Sequence, residues 1–207
     1  MKLNFKKART WVFRVSFLTA IFVLLISNSA DALVHPGGWF KAADLSLIRA
    51  KVAAGEEPWI SGWNAIKDID ADESYTATVS SLITDKSALS EQGHAAYVLA
   101  IKWVASGEQK YATAAINIID AWVNTVEDFD VEGPTLTLST AGGHMAQAAE
   151  ILAHAFDGEA GWDSTSIAKA KIWFKKCGIP MDKHRRFAFN ELGYLMCWRE
   201  YVNGHLL

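Results

Sequence analysis

Apolar residues recur at helical spacing through residues 90–125, SEQGHAAYVLAIKWVASGEQKYATAAINIIDAWVNT. In the first half Ala96, Leu99, Ala100, Trp103 and Val104 fall at i, i+3, i+4, i+7 and i+8. In the second, Tyr111, Ala114, Ala115, Ile118, Ile119 and Trp122 follow the same rule. Each half therefore predicts a helix with one apolar stripe. Between them stand Ser106, Gly107 and Glu108. Gly107 suits the left-handed position that ends a helix, and Glu108 suits the positive first turn of the next. So short a joint predicts an αα-hairpin, which must bury its stripes against neighbours of the same kind.

The same reading extends both ways. Residues 33–40 predict an extended start broken by Pro36, Gly37 and Gly38. A helix is expected over residues 42–54, with Leu45, Ile48 and Val52 inward and Gly55 ending it. Pro58 then opens a helix carrying Trp59, Ile60, Trp63 and Ile66. Residues 70–86 read mainly as loop, and residues 126–138 as a long connection. Ser139 or Thr140 is expected to cap a helix with the stripe Met145, Ala148, Ala149, Leu152, Ala153 and Phe156, ended by Gly158. Asp163 or Ser164 caps one bearing Ile167, Ala170, Ile172 and Phe174, which Gly178 and Pro180 are expected to stop. Two hairpins about 50 residues apart suggest a helical repeat.

Residues 1–32 read differently. Lys2, Lys6, Lys7, Arg9 and Arg14 precede an apolar run over residues 15–26, and Ala30 and Ala32 occupy small-residue positions. That is the pattern of a secretory signal peptide cleaved before Leu33, the run being short for a membrane span. The mature domain is then residues 33–207, exported to the periplasm or the extracellular space. Cleavage removes five basic residues and one acidic, leaving 15 basic against 22 acidic and a net charge of −7. A nucleic-acid partner is not expected at that charge. The reading is of a monomer without a membrane span once the leader is gone. Cys177 and Cys197 could bridge after export, or stay as two buried thiols, and two cysteines do not make a zinc site.

Two stretches resemble a known family. The segment AAYVLAIKWVASGEQKYATAAINIIDAW is similar to the repeat of the alginate lyase and chondroitin lyase superfamily. HPGGWFKAADLSLIRAKVAAGEEPW, at residues 35–59, resembles the start of the mature alginate lyase domain. GGHMAQAAEILAHAF followed by GW is similar to a further family repeat, and IPMDKHRRF to a segment after a helix. The resemblance covers about residues 34–181 and corresponds to roughly the first half of a family domain. It implies an all-α fold in which αα-hairpin repeats form part of an (α/α) toroid around a polysaccharide cleft. It implies a lyase that cleaves an acidic, uronate-containing polysaccharide by β-elimination, with no metal or organic cofactor required. A non-catalytic or vestigial sugar-binding half-toroid is the alternative, and a helical-repeat interaction protein a more distant one.

β-Elimination needs a group that neutralises the C5 carboxylate, a base for the C5 proton and an acid for the departing oxygen. The family's Asn-His signature is not found here, so candidates come from residue type. His144, after Gly142 and Gly143, reads as the start of a helix, either capping it or meeting a carboxylate, with Gln147 one turn along. His94 and Tyr97 share a helical face and line either a cleft or the core. His144 and Tyr97 are the catalytic candidates, and Trp39, His94, Gln147, Arg185 and Arg186 the substrate-binding ones. Trp39 offers an indole face to sugar C–H groups, whereas Trp103 and Trp122 sit in the stripes and read as core. Arg185 and Arg186 end a segment from Lys169 that holds seven basic residues and one acidic, and they suit paired bonds to uronate carboxylates. His154, beside an apolar stripe, reads as a satisfied structural histidine.

Overall fold

The computed structural model describes residues 35–129 and 135–184 of the chain. These residues are mostly helical. In chain order they form α1 (Ala42–Ala53), α2 (Trp59–Ile66), the strand β1 (Leu82–Ile83), α3 (Lys86–Ser106), α4 (Gln109–Thr125), the strand β2 (Asp128–Phe129), α5 (Thr135–His154), a 3-10 turn (Ala155–Gly158) and α6 (Ser164–His184). The helices account for the all-α expectation. The strands are two residues each, paired in parallel with Leu82 against Asp128 and Ile83 against Phe129.

α3 is the centre of the packing, laid chiefly against α5, then α4 and α1. Its stripe is as the periodicity requires, with Ala96, Leu99, Ala100, Trp103 and Val104 all buried. α4 buries Tyr111, Ala112, Ala114, Ala115, Ile118, Ile119 and Trp122. Gly107 takes φ 74° between them, and its N–H donates to the Trp103 carbonyl at 2.8 Å. α3 starts four residues before the predicted stretch, because the Asp85 side chain accepts from the Ser87 N–H at 2.8 Å and caps it.

Buried polar groups pin the joints between these helices. The Trp122 indole donates to Gln92 Oε1 at 2.8 Å, and the Gln92 amide donates to the Thr78 carbonyl at 2.7 Å. Lys102, almost wholly buried, donates through Nζ to the carbonyls of Ile69 at 2.6 Å and Ala71 at 2.8 Å. Those two carbonyls flank Asp70, held at φ 57°. Arg49 of α1 donates through Nε to the Val104 carbonyl at 3.1 Å, and through its guanidinium to Glu159 at 2.8 Å. Its guanidinium carbon also lies 3.5 Å from the Phe156 ring centroid, so one side chain ties α1 to the end of α3 and to the turn after α5.

Three further features depart from the sequence reading. α5 begins at Thr135, so Ser139 and Thr140 lie inside the helix and neither is its cap, and His144 is mid-helix. α6 runs on to His184 through Gly178 and Pro180. A proline within a helix forfeits one backbone bond and either bends or breaks it, and here the helix continues. In α6 the buried face is Ala170, Trp173 and Phe174, while Ile172 is 69% exposed. The Trp173 indole reaches the Val126 carbonyl at 3.0 Å, and that bond fixes the helix rotation and turns Ile172 outward. The leader, Arg185, Arg186 and Cys197 lie outside the described residues. No helix among the described residues is long and apolar enough to cross a membrane.

Candidate functional site

The extended segment before α1 is strapped along α5, and the strap builds the site. Chain direction on the strap opposes that of the helix. Trp39 N–H donates to Gln147 Oε1 at 3.1 Å, and Gly37 N–H to Glu150 Oε1 at 2.9 Å. The His35 ring nitrogen Nδ1 meets the same Glu150 oxygen at 2.6 Å. Gln147 and Glu150 lie on one face of α5, three residues apart. They satisfy backbone N–H groups that an extended strap would otherwise leave without partners.

Gly38 is why the strap can lie so close. It adopts φ 80°, and a Cβ added there would fall 2.2 Å from Gln147 Nε2. Gly38→Ala is therefore expected to destabilise the protein by about 1–2 kcal/mol, from left-handed backbone strain and displacement of Gln147. Chemical denaturation checks this. A variant as stable as the parent would contradict the strap geometry.

The strap sets Trp39, 55% exposed, against a cluster of rings from two other elements. Its indole meets Tyr97 of α3 edge-on at 5.4 Å between centroids and His144 of α5 at 5.5 Å. Tyr97 and His144 stack at 5.5 Å, and His94 meets His144 at 5.6 Å. His94 Nε2 lies 3.9 Å from Asp70 Oδ2, the residue whose flanking carbonyls Lys102 holds. Four of the seven predicted residues, Trp39, His94, Tyr97 and His144, thus meet in one place.

Gln147 belongs to the same place with another task. It is buried, and its Oε1 accepts from the Trp39 N–H, so it positions the strap beside the ring cluster. His144 owes nothing to a helix start, since it sits on the middle of α5 with its face toward the strap. Tyr97 is half-buried, neither plain core nor fully open. Trp103 and Trp122 are wholly buried, as their stripes require. Trp59 and Trp63 are half-buried and line an apolar groove of about 330 Å³ with Ile48, Val52 and Ile101.

Burial sets the proton chemistry of the cluster. It pushes the Tyr97 phenol up to about 12, and it holds His144 below the ordinary 6.5, helped by the charge that His94 can carry. At neutral pH the site therefore presents a neutral imidazole and a neutral phenol. For His144 the unfolded chain binds more protons below pH 6.5, so stability falls as pH drops from 6.5 through the depressed folded value. For Tyr97 the unfolded chain loses its proton first, so stability falls as pH rises from 10 toward 12. Melting temperature against pH is expected to decline on both flanks. Tyr97→Phe should remove the Tyr97 part of the alkaline decline, and an unchanged alkaline limb in that variant would contradict the assignment.

Sequence reading missed Glu150, whose side chain is wholly buried beneath the strap. The available signal was the polar series His144, Gln147, Glu150 and His154 at steps of three or four along an otherwise apolar helix. His154 is not the satisfied histidine expected. It stacks on His35 at 4.2 Å, and its Nε2 has no hydrogen-bond partner. Comparison of the chain with protein-family models, with curated proteins and with solved structures finds no match.

Proposed function

We propose that this chain is an exported polysaccharide lyase of the alginate lyase kind, its helical hairpins forming part of an (α/α) toroid. It acts on a uronate-containing polymer by β-elimination. The observation that carries this reading is the meeting of Trp39, His94, Tyr97 and His144 on three separate elements. These residue types supply what the reaction needs. The half-exposed Trp39 indole stacks on a sugar ring. His144, kept neutral by burial, accepts the C5 proton as general base. Tyr97, kept protonated to about pH 12, donates to the departing glycosidic oxygen as the C4–O bond breaks. His94, half-exposed beside Asp70, donates a ring N–H to the C5 carboxylate. The electron pair left on C5 forms the C4–C5 double bond, and the proton count closes between His144 and Tyr97.

A second reading, sugar binding without catalysis, is favoured by one observation. Among the described residues no arginine belongs to the ring cluster, Arg49 being bound to Glu159 and the end of α3. The lyase reading needs Arg185 and Arg186 to bring that charge to the ring cluster, whereas binding alone needs them only to hold the polyanion. Mixing the protein with mannuronate, guluronate and glucuronate polymers separates the two. The lyase reading expects a rise in ultraviolet absorbance from the new double bond with at least one polymer. Saturable binding without that rise supports the second reading, and neither signal removes both.

A further inference from the structure

The buried end of the strap carries a cluster that the lyase reading does not use. His35, Glu150 and His154 each bring one ligand-type atom within 4.8 Å of the others. Glu150 is fully buried, and only its Oε1 is satisfied, by His35 Nδ1 and by Gly37 N–H. Its Oε2 has no hydrogen-bond partner, and it faces the equally unpartnered His154 Nε2 across 3.8 Å. That gap is too long for a hydrogen bond. It is near the ~3.4 Å edge between two ligands bound at ~2.1 Å to one tetrahedral zinc. A buried carboxylate with one oxygen aimed at an imidazole and bonded to nothing is costly unless a cation completes it.

We propose that His35, Glu150 and His154 bind one first-row divalent cation, zinc fitting best, which staples the strap to α5. Two imidazoles and one carboxylate are a zinc-type donor set, with a fourth position left for water. Two ligands on one zinc lie at most ~4.2 Å apart, so the outer separation of 4.8 Å closes by turning of the half-buried imidazole rings. Glu150 and His154 stand at i and i+4 on α5, while His35 comes from a segment 115 residues away from Glu150. The ion would therefore hold together two parts far apart in sequence, a few residues from Trp39. This inference stands apart from the lyase reading, since the cluster binds metal whether or not the ring cluster turns over sugar.

The test is uptake of Zn²⁺ and Co²⁺ by the full chain after chelator treatment, measured by equilibrium dialysis and by the visible d–d absorption of bound Co²⁺. One equivalent per chain is expected, with the absorption of a four- or five-coordinate ion and a raised melting temperature. His35→Ala leaves the helices untouched, and with His154→Asn it is expected to weaken uptake by more than ~100-fold. Helical circular dichroism confirms that each variant is folded. His94→Ala and His144→Ala, in the neighbouring ring cluster, are expected to retain full uptake. No uptake by the parent, uptake indifferent to His35 and His154, or loss only in the His94 and His144 variants would each overturn the proposal.

Discussion

His144→Ala is expected to lower kcat for uronate elimination by ~10²–10⁴-fold, the usual contribution of a positioned general base. The variant should keep its helical content, because the ring is half-buried on α5 and alanine is a strong helix former. KM should change far less than kcat, since the proton is transferred only in the transition state. Tyr97→Phe is expected to fall by the same order, because its phenol is the proposed acid. The double variant should lose little more than either single one, as groups that act on the same step are not additive. Steady-state kinetics on the most responsive polymer gives these values. A loss of less than tenfold in both single variants would take the ring cluster out of the chemistry. The profile of kcat/KM against pH adds an independent check. Activity should fall on the acid side below 6.5, where His144 begins to take up its proton, and be level across neutrality.

Trp122→Ala is expected to cost about 3–5 kcal/mol of folding stability, the range for truncating a large buried aromatic. The indole is fully buried, meets Trp173 at 6.4 Å between centroids, and donates to Gln92. Alanine leaves a cavity and strips Gln92 Oε1 of its donor. Gln92 in turn holds the Thr78 carbonyl, so the loop before α3 should loosen with it. Since single domains are stable by roughly 5–15 kcal/mol, about a fifth or more of the total is at stake. Urea denaturation should show a lower midpoint with the slope largely kept. Trp39→Ala, removing an indole that is 55% exposed, should cost well under half as much and act instead on sugar binding. Equal losses in the two variants would contradict the division of the tryptophans into core and site.

That division was legible in the sequence because it is local. Trp103 and Trp122 lie in apolar stripes at helical spacing, and Trp39 follows two glycines outside any stripe. The ring cluster was legible in part for the same reason. His94 and Tyr97 share a helical face by spacing alone, and His144 stood out after Gly142 and Gly143, though as a helix start. Their meeting with Trp39 depends on contacts between distant parts of the chain, Trp39 with Tyr97 and with His144, which no periodicity records. Gln147 and Glu150 illustrate the limit. Both are polar residues that earn burial only through the Trp39 and Gly37 N–H groups of a strap 108 and 113 residues earlier. From sequence, Gln147 stood out as a ligand contact, and Glu150 did not stand out at all. The start of α5 was misplaced because Ser139 and Thr140 are good caps in the abstract, yet the chain enters the helix at Thr135. Ile172 was assigned inward by apolar character, but Trp173, with more area to bury and an indole bound to Val126, sets the rotation of α6.

The most direct measurement is mass spectrometry of the oligosaccharides formed when the parent protein and His144→Ala are each incubated with a panel of uronate polymers. β-Elimination leaves each new non-reducing end one water lighter than hydrolysis would. The account predicts such unsaturated ends with the parent on at least one polymer and almost none with the variant. Intact polymer throughout, ends of hydrolysed mass, or unsaturated ends formed equally by His144→Ala would contradict it.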